Sequence, residues 1–223
     1  MRRTACYCMT RNIYHKVRPS LNSLLKNTNV DHVYLIAEDD SVGFTLPDNV
    51  SVINVADQTW FDKDGPNYNC RWTYMCLMRI ALCHVLPEEK RILSLDLDTI
   101  VAENIDDLWD VPIDDFYLAG VREPAKSGSG LYVNGGVVLW NLEKMRDGMA
   151  DRIIRELNTI RYAFPEQDAM NKFCRGNMYE LSSSYNVTRY TTKTAYPRIY
   201  HYAATPGWYE MNPMVQLYKE MNE

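Results

Sequence analysis

The stretch RILSLDLDTIV, Arg91–Val101, reads as a buried strand that runs into two carboxylates one residue apart, Asp96 and Asp98. At i, i+2 the two side chains share a face of an extended chain. In water-poor surroundings such a pair repels, and at least one member takes up a proton unless a cation lies between them. A divalent metal resolves the conflict, because carboxylate oxygens are good ligands for Mg²⁺ and Mn²⁺. The end of a strand in an open α/β sheet is also where ligands bind. A bare D-x-D leaves another reading open, a polar strand end with Asp98 capping a turn.

Working outward, the chain alternates between strand and helix signals. TACYCMT, DHVYLIAE and VSVINVA are β-prone runs before the aspartates. Between the first two, IYHKVRPSLNSLLKNT places Val17, Leu21, Leu24 and Leu25 at helical spacing, with Pro19 marking a kink or the start of the helix. WTYMCLMRIALCHVL predicts one nearly all-apolar helix over 72–86, ended by Pro87. The intervening segment Asp57–Arg71 is loop-like and aromatic. Beyond the aspartates, DFYLAGV and LYVNGGVVLWN are further strands, and LEKMRDGMADRIIRELNTIRY predicts one long helix over 142–162. PEQDAMNKFC opens another helix with Pro165 in its first turn, and RIYHYA is a late strand before a short terminal helix. This alternation predicts an α/β fold with a Rossmann-like, mostly parallel and finally mixed central sheet flanked by helices. One domain over 1–223 suits the length, and no linker or repeat interrupts it.

Composition narrows the function. The chain has 223 residues, 46% of them hydrophobic, and a net charge of −5. An acidic balance argues against a nucleic-acid partner, which requires a basic face. No run approaches a transmembrane segment, and the N-terminal MRRTACYCMT is too polar for a secretory signal. A cytoplasmic location follows, and the six cysteines, lacking C-x-x-C or zinc spacing, read as buried reduced thiols. Cys6 and Cys8 would share a strand face. The sequon NVT at Asn186 carries no meaning in that compartment.

Four stretches in order resemble glycosyltransferase family 8, which has the GT-A fold. RIALCHVLPEEKRILSLDLDTIVAENIDDLW is similar to its helix, strand and D-x-D segment. YVNGGVVLWNLEKMR matches its glycine-bearing strand, FPEQDAMNKF its Q-D helix, and RIYHYAATPGW its C-terminal histidine segment. The resemblance implies a single GT-A domain, with a nucleotide-binding half over about 1–100 and a sugar and acceptor half over about 101–223. It implies a metal-dependent retaining hexosyltransferase that uses Mn²⁺ (or Mg²⁺) and a nucleotide sugar, a UDP-hexose by preference. The acceptor hydroxyl would belong to a glycan, a lipid-linked sugar or a protein. Asp96, Asp98 and His201 match the metal ligands. Arg79, Leu97, Asn134, Gly135 and Gly136 match donor contacts, and Gly135 and Gly136 belong to a glycine cluster with Gly128 and Gly130. Glu166, Gln167 and Asp168 match the residues beside the reacting sugar, with Gln167 on the face of the anomeric carbon and Asp168 on a sugar hydroxyl. Gln167 is a poor nucleophile, which favours same-face attack, the leaving phosphate taking the acceptor proton.

Two segments depart from the family pattern. Where members carry A-A-D-x-x-Y to hold the nucleotide, this chain has CYCMTRNIY, so Thr10, Asn12 and Tyr14 are the matching contacts, with Thr10 in the place of the acid. In the C-terminal H-x-x-G-x-x-K-P-W, Ala204 replaces the glycine and Gly207 the diphosphate lysine; Arg189 and Arg198 are replacement cations nearby in sequence. The chain is short for the family, so added acceptor-binding and membrane-associating segments are expected to be absent or reduced. Two other readings stay open. One is a nucleotide- or sugar-binding protein without turnover. The other is a haloacid-dehalogenase-like phosphatase, with Asp96 as nucleophile and Asp98 as acid/base. The aromatics Trp60, Phe61, Tyr68, Trp208 and Tyr209 could stack sugars, whereas Trp72 reads as core.

Overall fold

A computed structural model describes residues 2–123, 126, 130–191 and 194–219, which leaves Gly128 outside the described residues. Among these residues nine strands carry the fold: β1 (Thr4–Cys8), β2 (His32–Ala37), β3 (Val50–Asn54), β4 (Arg91–Leu95), β5 (Thr99–Val101), β6 (Leu118–Arg122), β7 (Val133–Asn141), β8 (Met178–Glu180) and β9 (Ile199–His201). Seven of them form one sheet in the order β3-β2-β1-β4-β7-β6-β8. β7 runs antiparallel to both its neighbours, and the remaining pairings in that sheet are parallel. β5 and β9 pair antiparallel as a separate ribbon.

The central strands β1, β4 and β7 are buried along their whole length, as continuous apolar runs require when both sheet faces are covered. Alternate residues of β1 enter opposite cores. Cys6 and Cys8 pack with Ile92 and Trp140 on one face, while Ala5 and Tyr7 pack with Leu93 and Leu139 on the other. The two cysteines therefore share a face, and all six cysteines are unpaired. Helix α1 (Val17–Asn27) covers the second face through Val17, Leu21 and Leu24. Pro19 is its third residue, where a missing N–H costs no hydrogen bond.

Two helices differ from the sequence expectation. The run 72–86 forms α2 (Thr73–Leu77) and α3 (Leu82–Val85), separated by a turn. In that turn the amides of Ile80 and Ala81 donate three residues back, to Leu77 and Met78. Arg79 sits in it, and its guanidinium is drawn inward to Gly135, Glu166 and Asp96. The run 142–162 divides into α4 (Leu142–Met145) and α5 (Met149–Thr159) at Gly148, whose φ of +100° leaves the helical region. Helix α6 (Pro165–Phe173) starts at its proline as expected. β8 was invisible to pattern reading because three residues carry no periodicity. The C-terminal helices α7 (Trp208–Met211) and α8 (Pro213–Lys219) pack near β5 through Val215 and Tyr218. No described helix is long and apolar enough to cross a membrane.

The aromatic segment 57–72 is held by the end of α5. Buried Asn67 donates to the carbonyls of Leu157 (2.6 Å) and Ile160 (2.7 Å) and accepts the Tyr162 N–H (3.0 Å). Asn158 answers from α5, donating to the Trp60 carbonyl at 2.8 Å and accepting the Asp62 N–H at 2.9 Å. Replacing Asn67 by alanine strands three backbone groups, so Asn67→Ala is expected to cost about 2–4 kcal/mol. A urea melt measures this as a lower midpoint at constant m-value.

Candidate active site

From β1 the chain winds outward to β3, then returns to place β4 on the other side of β1. The carboxyl ends of β1 and β4 thus flank a topological switch point, where the connections leave a crevice. Antiparallel β7 brings its first residues to the same end, and the Asp96 N–H donates to the Gly136 carbonyl at 2.8 Å. A cavity of about 590 Å³ opens here, lined by Thr10, Arg79, Asp96–Asp98, Asn134–Gly136, Glu166, Gln167 and His201 among others.

The aspartates do not lie along one strand. β4 ends at Leu95, and a tight turn follows in which the Thr99 hydroxyl (2.8 Å) and N–H (3.2 Å) both donate to the Asp96 carbonyl. The chain then enters β5, whose Thr99 stands opposite His201 of β9. That register delivers His201 to the carboxylates: Nε2 lies 3.4 Å from Asp96 Oδ2 and 3.2 Å from Asp98 Oδ1. One ligand atom from each of the three residues falls within 4.8 Å of the others.

A chain of amides orients the histidine. Asn186 donates from Nδ2 to Asn134 Oδ1 (2.8 Å), which leaves its Oδ1 to accept from His201 Nδ1 at 2.9 Å. Nε2 is thereby aimed at the carboxylates, the arrangement that a metal-ligating imidazole needs. Gly136 makes room for the ring, since a Cβ there would stand 2.1 Å from His201 Cε1. Two carboxylate oxygens and one imidazole nitrogen suit Mn²⁺ or Mg²⁺.

The charges of the site act on one another. Burial would lower the His201 pKa, but Asp98 first and then Asp96 hold it up to about 10. Burial would raise Asp96, but Arg79 and His201 keep it well below the usual carboxylate range. Arg79 is buried and donates to the Gly135 carbonyl at 2.8 Å and to Glu166 Oε1 at 3.1 Å, with its second nitrogen on Asp96. Burial raises Glu166 against the opposing pull of Arg79. The repulsion legible in the sequence is thus met by two cations of the chain's own, one of which, His201, can give its proton up to a metal.

The other sequence candidates divide. Gln167 lines the cavity and accepts the Gly135 N–H on Oε1 at 2.7 Å. Asp168 is not among the lining residues: one oxygen accepts the Tyr132 hydroxyl and the other the Phe164 N–H at 2.9 Å. Asn134 lines the cavity and donates to Glu123 at 2.6 Å. Thr10 lines it too, with its hydroxyl on Asn12 at 2.7 Å, and Asn12 borders an adjoining hollow with Glu38 and Tyr68. Tyr14 is buried away from both, accepting the Glu38 N–H and donating to Asp39. Gly207 takes the left-handed φ of +65°, which would cost a lysine about 1 kcal/mol. Arg198 is bound to Asp107, Arg189 stacks on Tyr190, and neither lines the cavity. Trp72, expected in the core, is 45% exposed at the cavity rim beside Phe164. Asn186, Glu123 and Lys16 are site-proximal residues that pattern reading missed. Asn186 belongs to the sequon NVT, and it is 2% exposed.

A profile of glycosyl transferase family 8 matches residues 2–206. General stress protein A of Bacillus subtilis is 26% identical over 128 residues, covering 50% of this chain and 45% of that protein. The chain spans less than half the length of the curated relatives it matches. The solved structure of the galactosyltransferase LgtC with donor and acceptor sugar analogues superposes with a TM-score of 0.68 at 17% identity, covering 91% of this chain and 87% of that one. The glycosyltransferase GlyE of Streptococcus pneumoniae superposes with a TM-score of 0.73 at 17% identity, covering 100% of this chain and 61% of that one. At such identities the likeness is one of fold, the GT-A-like α/β arrangement.

Two outcomes follow from the geometry. Gly136→Ala places a methyl group against the His201 ring and is expected to weaken Mn²⁺ binding at least about tenfold by calorimetry, from the misplaced ligand. Metal binding must also displace the His201 proton, which is held below a pKa of about 10. Affinity should therefore rise as pH rises, by up to about tenfold per unit between pH 6 and 8, and His201→Ala should flatten that slope.

Proposed function

The chain belongs to glycosyl transferase family 8, and on that premise we propose that it is a metal-dependent retaining glycosyltransferase. It takes a hexose from a nucleotide sugar, a UDP-sugar by preference, to a hydroxyl of a glycan, lipid-linked sugar or protein. Family membership removes the phosphatase reading. The observation that carries the proposal is the convergence of Asp96, Asp98 and His201 on one cavity with Arg79, Glu166 and Gln167. Six unpaired cysteines suit a reducing, cytosolic setting.

Asp96, Asp98 and His201 would hold Mn²⁺ or Mg²⁺, and the bound ion supplies positive charge to the departing diphosphate. Arg79 keeps Asp96 ionised and so ready to ligate. Gly135 and Gly136 let the sugar approach the backbone closely. Gln167, anchored on the Gly135 N–H, keeps its amide at the cavity wall. A double displacement would need a free carboxylate beside the anomeric carbon. Glu166 is buried and tied to Arg79, and both oxygens of Asp168 are occupied by Tyr132 and Phe164. Neither suits attack, which favours same-face substitution, with the leaving phosphate accepting the acceptor's proton.

The test is turnover of a panel of nucleotide sugars with and without Mn²⁺. Metal-dependent release of free sugar from one donor, with the anomer retained by proton NMR, is the expected result. Asp98→Asn should lower that rate by about a hundredfold or more. Nucleotide-sugar binding without any turnover would support a binding protein instead, and a stable glycosyl adduct on Glu166 or Asp168 in a mass spectrum would sink same-face attack.

A further inference from the structure

Resting on that donor reading, we infer that Lys16 binds the diphosphate of the nucleotide sugar, in place of a cation from the C-terminal segment. Lys16 ends the 3-10 helix Arg11–Lys16 that follows β1, and its half-buried side chain lines the cavity that holds the aspartates. Ile13, Ala203, Ala204 and Trp208 line the cavity with it. Ala203 and Ala204 follow His201 by two and three residues, so this wall continues from the metal-ligating group.

Three lining residues among those described carry a fixed positive charge: Arg79, Lys126 and Lys16. Arg79 is committed to Asp96 and Glu166. Lys126 lies over the rings of Tyr132 and Phe164. Lys16 makes no ion pair among the described residues, and its Nζ rests 5.7 Å from the centre of the Tyr209 ring. A half-buried lysine that lines the cavity and has no carboxylate paired with it among the described residues is suited to an anionic ligand.

The C-terminal segment helps to position it. Tyr209 donates from its hydroxyl to the His15 carbonyl at 3.0 Å and meets the His15 ring edge-on at 5.4 Å. α7 is therefore fastened to the 3-10 helix that carries Lys16. A lysine at position 207 is disfavoured by the left-handed backbone there, and the neighbouring element supplies the charge to the same cavity. An aliphatic residue at 16 would leave Arg79 and Lys126 as the fixed cations among the described lining residues, both already engaged.

The test is calorimetric binding of UDP and of uridine, with Mn²⁺ present, to wild type, Lys16→Met and Lys16→Arg, with ADP and GDP in parallel. Lys16→Met should weaken the nucleoside diphosphate about tenfold or more, leave uridine within about twofold, and keep the wild-type melting temperature. Lys16→Arg should restore most of the diphosphate affinity. Equal losses for UDP and uridine, or no loss for UDP, would overturn the assignment while the donor reading stands. Failure of wild type to bind any nucleoside diphosphate with Mn²⁺ would overturn the donor reading and the assignment with it.

Discussion

The site hangs on one buried guanidinium. Arg79 cannot shed its charge, so a chain that buries it must surround it with acceptors. It finds them on three segments: Asp96 beyond β4, the Gly135 carbonyl in β7 and Glu166 in the first turn of α6. Each contact ties a distant part of the sequence to the turn between α2 and α3. Removing one carboxylate would strand charge in the interior, a change that costs about 3–5 kcal/mol in comparable pairs. Arg79 sits in the turn that divides the apolar run 72–86 into two helices.

The same interaction resolves the electrostatic problem posed by Asp96 and Asp98. Both stay near cations, Asp96 between Arg79 and His201, and Asp98 beside His201. His201 differs from Arg79 in that its charge is a proton that can leave. On the proposed reading, a metal bound by Asp96, Asp98 and His201 would take the place of that proton at Nε2. The Asn134–Asn186 pair aims the ring at the carboxylates, and Gly136 keeps the space that the ring fills. Such fixed orientation is what electrostatic catalysis asks of its supporting groups.

Much of this was legible in the chain. Alternating apolar runs announced an α/β sheet because strand and helix periods differ. Asp96, Asp98, Gly136, Gln167 and His201 stood out because their spacing and order matched a known pattern. Asp168 and Tyr14 show what spacing alone leaves unsaid. Both occupy pattern positions, yet their polar atoms are spent on Tyr132, Phe164, Glu38 and Asp39, partners that no sequence spacing reveals. Trp72 is half exposed rather than in the core, because composition does not say which side of an aromatic loop faces solvent.

By itself the sequence determined the residue types and the order of elements, since propensity, period and charge repulsion act over a few neighbouring residues. It placed two carboxylates together and a histidine about a hundred residues later. Only the tertiary structure decided that β5 and β9 pair in the register that joins them. It also decided that Asn186 sets the imidazole's direction, and that Lys16 rather than Arg189 or Arg198 reaches the cavity. The physical reason is that register, burial and hydrogen-bond partnership come from packing between segments far apart in the chain.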